Sequence, residues 1–242
     1  MPIKRKLTAK DVALIICFTA LYAVFASIPI FQILGVPSRS ITAAAITAPI
    51  IGVLLGPYIG TLSATLGGVI SFFAGSFFPP SFVSGIIATL CAGLLSKGKR
   101  MLCILVYLLL LVAFGFYPSV GPAWLFPWSM WFQVMGLLIL VTPLQSLAER
   151  SLKSDRNPRL LLAFFTMSLT STLAGQISGS LAYVIFGFPP ILGGWTAQWQ
   201  SLTFLYPAER AIIALGSALI GAPLLRVLKS SNLVRTLSHE GI

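Results

Sequence analysis

Residues 47–75, TAPIIGVLLGPYIGTLSATLGGVISFFAG, decide how the chain is read. The stretch carries no charge and is full of small residues. Gly60, Ala64 and Gly68 recur at four-residue spacing, as do Gly67, Ser71 and Gly75, and Ala44, Ala48, Gly52 and Gly56 form a similar stripe before them. In lipid, small residues at this spacing let two helix backbones approach closely, so that packing joins them. Gly56-Pro57 interrupts the run, because proline lacks an N–H and its ring clashes with the preceding turn. The expectation is two close-packed membrane helices joined by a very tight turn.

The rest of the chain fits that reading. Of 242 residues, 57% are hydrophobic and only 9% are charged, against roughly 25% charged in a soluble domain. The net charge of +11 comes from short basic clusters between apolar segments. That is the pattern of loops facing anionic lipid and excludes a nucleic-acid partner. Cys17, Cys91 and Cys103 lie in or beside apolar segments, so they read as small hydrophobes and not as a disulfide framework or metal site. The basic start MPIKRKLTAKD precedes an apolar run without a small-x-small cleavage site, which predicts a retained first helix. The expected fold is an all-α, polytopic transmembrane helical bundle forming a single integral membrane domain over 1–242, with tails at about 1–10 and 229–242.

Eight apolar segments are candidates for crossing: 12–33, 41–55, 57–78, 82–96, 101–117, 125–148, 160–186 and 205–228. A spanning helix needs about 20 residues. Segments 41–55 and 82–96, at about 22 Å each if helical, either lean on neighbours or form re-entrant hairpins, which leaves six to eight spans. Basic clusters follow an alternating pattern: Lys4 to Lys10, Lys97 to Arg100, Arg150 to Arg159, and Arg226 to Arg235. The intervening loops 34–40, 79–81, 118–124 and 187–204 carry only Arg39. The positive-inside rule then places both termini in the cytoplasm.

The opposite, outer loops are rich in proline, glycine and aromatics. All five tryptophans (124, 128, 131, 195 and 199) lie there, either as an interfacial belt or as the lining of an outward-opening mouth. Phe-Pro-Pro occurs at 78–80 and again at 188–190, a hint of duplicated halves. Enzyme motifs are missing: there is no phosphate loop, no H-E-x-x-H, no G-x-S-x-G and no Cys/His cluster. Glu209 is the one acid within a candidate span. With Pro207 suited to a first helical turn, Glu209 would sit at the positive end of a helix dipole beside Arg210. This pair is either a capped helix end or an anchor for a ligand, and Arg39 is a possible partner for Glu209. Gln176 and Tyr183 are candidate hydrogen-bonders on a cavity wall or glue between helices, with Gln133 and Gln32 comparable near the outer ends.

Three stretches carry a resemblance. LTAKDVALIICFTALYAVFASIPI (7–30) and PIIGVLLGPYIGTLSATLGGVIS (49–71) resemble the first three helices of the substrate-binding (S) components of energy-coupling factor transporters. YPAERAIIALGSALIGAPLLRVLK (206–229) is similar to the last helix of that family. The resemblance implies a vitamin- or micronutrient-binding protein of the cell membrane whose pocket opens outward. Its expected partners are a membrane coupling subunit and two cytoplasmic ATPases, and it would topple in the bilayer to release substrate. It also implies that small residues on the first helix meet the coupling subunit, usually as Ala-x-x-x-Ala. Here that face has Ile16 and Ala20, with Thr19, Ala23 and Ser27 as the alternative small stripe.

Three functions remain open at this point: a substrate-capture subunit without catalysis, a stand-alone secondary transporter, and a membrane-embedded enzyme or assembly factor. The expected site is an outward-facing cavity formed by Glu209, Arg210, Gln176 and Tyr183 with Arg39. The 34–40 and 187–200 loops would lid it, and Trp195 and Trp199 would stack on a heteroaromatic ligand. No cofactor or metal is expected.

Overall fold

The computed structural model describes residues 8–32, 40–152, 154, 156–190 and 192–230. Helix α1 (Ala9–Ala26) starts at a capping box. The Thr8 hydroxyl accepts from the Asp11 N–H at 3.3 Å, and the Asp11 carboxylate accepts from the Thr8 N–H at 3.0 Å. The helix ends earlier than the expected 12–33, because Pro29 has no donor with which to continue it. Strand β1 (Pro29–Gln32) pairs antiparallel with β2 (Ser40–Thr42). A small β-hairpin therefore joins the first two helices of an otherwise helical protein. Arg39 and most of the 34–40 loop lie outside the described residues.

Helix α2 (Ala44–Phe73) carries the organising stretch. Gly56, at φ +80° and ψ −179°, leaves the helical region, a backbone conformation that side-chain-bearing residues rarely adopt. The second arm then folds back on the first. A Cβ on Gly60 would lie 3.0 Å from the Ile51 carbonyl oxygen and 3.3 Å from the Gly52 Cα, whereas residues eight apart in one straight helix are about 12 Å apart along its axis. The tight helical hairpin expected from Gly56-Pro57 is present. It packs on α3 (Pro79–Ser96), which starts on two prolines. A Cβ on Gly93 would stand 2.5 Å from the Pro57 nitrogen, and one on Gly52 would collide with the Thr89 carbonyl oxygen. Gly52 and Gly68 thus lie in the seam between the hairpin and α3, Gly60 lies between the two arms, and Gly67 packs against Thr19 and Tyr22 of α1.

Helix α4 (Arg100–Gly115) leads into the part that departs most from expectation. The single segment expected at 125–148 is four pieces: α5 (Pro122–Leu125), a 3₁₀ turn (Pro127–Met130), α6 (Trp131–Val141) and α7 (Pro143–Ser151), the last two bent by 64°. Pro143 withholds an N–H from Ile139 O, which accepts from the Thr142 hydroxyl at 3.1 Å instead, and the Arg100 guanidinium caps the next carbonyls, left open where α6 ends. Its Nε donates to Leu140 O at 2.6 Å, and Nη2 to Thr142 O at 3.1 Å and to Val141 O, while Nη1 reaches Ser146 Oγ at 2.6 Å. A cation at a helix C-terminus is also favoured by the dipole. Arg100, read from sequence only as a loop charge, is the joint of this bend.

Helix α8 (Asn157–Ile185) runs through the centre of the bundle, and its middle is buried on every side. Several of its hydroxyls donate back along the helix, Thr172 to Ser168 O at 2.7 Å and Ser178 to Gly175 O at 2.8 Å, which satisfies them inside the bundle. Helix α9 (Trp195–Ser230) is ten residues longer at its start than the expected 205–228. Pro207 therefore lies inside the helix instead of in its first turn, and Glu209 is not at a helix N-terminus. Lacking an N–H, Pro207 leaves the Thr203 carbonyl free, and the Trp131 indole donates to it at 3.1 Å.

Among the described residues, five helices (α1, α2, α3, α8 and α9) are long and apolar enough to cross a membrane, or six with the bent α6–α7 pair. The two ends of the bundle differ. At one end the Gly56 turn lies near Lys97, the Lys99 ammonium sits over the Tyr58 ring, and Lys229 donates to Leu152 O at 2.7 Å. At the other, Ser27 meets Ser76 at 3.4 Å, and Phe78 packs on Phe188 at 4.7 Å between ring centroids. Basic residues gather at the first end and aromatic ones at the second.

Candidate functional site

A cavity of about 150 Å³ lies toward the aromatic end, between the start of α2, α3, α8 and α9. That volume is of the size that admits a single aromatic ring. Thr42 of β2 with Ala45 and Ala48 of the first arm of α2 forms one wall. Gly85 and Ala88 of α3 and Gly179 of α8 also line it, the glycines making room for Tyr22 and Ser84 respectively. The remaining wall is polar and comes from α8 and α9.

Glu209 and Arg210 are the charged part of that wall, each about 5% exposed or less. They are joined by one ion pair, Glu209 Oε2 to Arg210 Nη2 at 3.5 Å, which exceeds an ordinary charged hydrogen bond. Neither Glu209 Oε2 nor Arg210 Nε has a hydrogen-bond partner among the described residues. A buried charged group short of partners costs several kcal/mol, so this pair stands half-satisfied at the edge of an empty space. Pro207 stands two residues before Glu209 inside α9, and the Trp131 indole takes up the Thr203 carbonyl that it frees.

A chain of neutral polar groups leads away from the pair. The Tyr206 hydroxyl lies 3.4 Å from Ser180 Oγ, Ser180 accepts from Gln176 Nε2 at 3.0 Å, and the Gln176 amide faces that of Gln133 at 3.1 Å. Tyr107 donates to the Gln133 carbonyl at 2.7 Å. Gln176 thus serves both roles foreseen for it: it lines the cavity and it ties α8 to α6. Gln133 lies beyond the lining and is glue alone.

Aromatic rings roof the cavity. Phe78, Tyr183 and Phe188 pack as a tilted cluster, with centroids 4.7–6.1 Å apart, and the Tyr183 hydroxyl donates to Pro189 O at 2.8 Å. The two Phe-Pro-Pro motifs meet here in unlike roles, one opening a helix and the other forming the strap held by Tyr183. Trp199 lines the cavity, is 2% exposed, and donates to Val120 O at 2.8 Å. Trp195 stacks on it at 5.5 Å but does not reach the cavity. Both belong to the first turns of α9, so much of the expected 187–200 lid is helix. Trp124, Trp128 and Trp131 are exposed, as an interfacial belt would be.

Of the expected binding residues, the structure brings together Glu209, Arg210, Gln176, Tyr183 and Trp199. Trp195 stands one layer behind them. Tyr206, Ser180 and Gln198 were missed. Tyr206 fell inside the expected 205–228 segment but ahead of Pro207, where the helix was expected to begin, and the helix in fact starts at Trp195. On α1, Thr19 faces inward and donates to Ser63 O at 3.2 Å. Ala20 and Ser27 are exposed and Ala23 is half-buried, so the open face of that helix is the Ile16–Ala20 face and not the Thr19 stripe.

The fold and this cavity define a class: a multi-pass helical membrane protein enclosing a ring-sized, partly charged chamber near one end. Comparison of the chain with family models, curated proteins and solved structures gives no match.

Proposed function

We propose that the protein is the substrate-capture subunit of an uptake transporter of the cell membrane. It binds a small organic nutrient from outside and delivers it with a membrane coupling subunit and cytoplasmic ATPases. The observation that carries this reading is the cavity whose wall holds the under-partnered Glu209–Arg210 pair beneath an aromatic roof. Its location at the aromatic end, away from the basic clusters, supports access from outside. The resemblance to S components supports the partners. No catalytic role is assigned, since the polar groups of the cavity form no nucleophile–base arrangement.

Mass spectrometry of small molecules co-purifying with the protein, followed by uptake of the one found, tests the function. Uptake that collapses without a partner ATPase is expected. Uptake driven by an ion gradient alone would replace this reading with a secondary transporter. Orientation is tested by single-cysteine labelling: position 98 is expected to react only from the cytoplasm and position 119 only from outside. Reaction of 98 from outside would invert the assignment. Ala20→Leu on the open face of α1 is expected to weaken association with the coupling subunit about tenfold, with ligand binding unchanged. Loss of ligand binding in that variant would place this face inside the functional bundle.

A further inference from the structure

The charge state of the Glu209–Arg210 pair narrows the ligand class, on the premise that the cavity captures a ligand. Two facts bear on it. The pair is already neutral as a whole, and each member, a lining residue of the cavity, holds one buried atom without a hydrogen-bond partner among the described residues, an acceptor (Glu209 Oε2) and a donor (Arg210 Nε). A ligand carboxylate drawn to Arg210 would bring a second anion against the Glu209 carboxylate. A ligand ammonium drawn to Glu209 would likewise meet the guanidinium. Either one buries an uncompensated charge where no water screens it, which is strongly unfavourable. A neutral group with a donor beside an acceptor satisfies both atoms and adds no charge.

We infer that the cavity recognises a neutral, planar ring bearing adjacent N–H and C=O (or N–H and ring nitrogen) groups on one edge, as in a lactam, cyclic urea or amino-azine. Glu209 accepts from its N–H and Arg210 donates to its acceptor. The other walls agree with this. The volume of about 150 Å³ takes one ring, and Trp199 and Tyr183 offer flat apolar surfaces to it. Ser180 and Tyr206 supply neutral hydroxyls for a further substituent.

The test uses the full chain in lipid nanodiscs and four single-ring probes: 2-pyridone, N-methyl-2-pyridone, benzoate and benzylammonium. Binding is measured by ligand-observed NMR. The 2-pyridone is expected to bind at least tenfold more tightly than each of the others. Glu209→Gln is expected to turn preference toward benzoate, and Arg210→Gln toward benzylammonium, an inversion that a purely structural pair would not give. If a single variant does not fold, the double variant Glu209→Gln/Arg210→Gln, which buries no net charge, is expected to keep the preference for 2-pyridone. Benzoate or benzylammonium binding best to the unaltered protein would overturn the inference while leaving the capture reading in place. Binding of no probe at all would count against both.

Discussion

Glu209→Ala is expected to weaken binding of the co-purifying ligand by about 2–5 kcal/mol, roughly 30- to 5,000-fold. The substitution removes the acceptor for the ligand and also leaves Arg210, 5% exposed, without its only ion-pair partner among the described residues. The size of the loss comes from both effects, because a lone buried charge retains its desolvation penalty. Equilibrium dialysis with mass-spectrometric quantification reads the affinity, and thermal unfolding in the same detergent reports on the fold. An unchanged affinity in a folded variant would make the pair a structural device that only borders the cavity.

The second large effect concerns the seam around the Gly56 turn. Gly52→Leu and Gly93→Leu each drive a side chain into backbone, at the Thr89 carbonyl and at Pro57 respectively. Backbone cannot swing aside as a flexible side chain can, so the hairpin must separate from α3. The destabilisation should reach or pass the upper end of the about 1–3 kcal/mol usual for overpacking. Gly98→Leu is a suitable comparison for bulk alone, since nothing lies within 4 Å of a Cβ there, although its positive φ adds some backbone strain. Thermal denaturation in detergent compares the three. Equal stability of Gly52→Leu, Gly93→Leu and the unaltered protein would mean that the two arms are not held as described.

How much of this was legible beforehand depends on the range of the forces involved. The hairpin was readable because Gly-Pro and the small stripes act locally: a proline breaks a helix whatever surrounds it, and close packing demands small residues. The start of α9 was not. Pro207 looks like a helix start in isolation, and only tertiary contacts, the Trp131 indole on Thr203 O and Trp199 against Val120, show the helix running through it. Glu209 therefore lines the cavity from inside a continuous helix, and not from the positive end of a dipole as its neighbour Pro207 suggested. Thr19 was misassigned because small residues recur on two faces of α1, and periodicity alone does not say which face meets α2. The broken region from Pro122 to Ser151 reads as one apolar run, and the Arg100 cap that stabilises its bend comes from some forty residues earlier in the chain.

The stacked indoles of Trp195 and Trp199, 5.5 Å apart and 25° from parallel, are close enough for their excited states to couple. The near-ultraviolet circular dichroism of the protein is therefore expected to contain an exciton contribution from this pair, the only stacked tryptophans among the described residues. Since Trp199 lines the cavity and Trp195 rests on the outer side of Trp199, the chamber carries its own chiral optical signal at the point where an occupant would press on it.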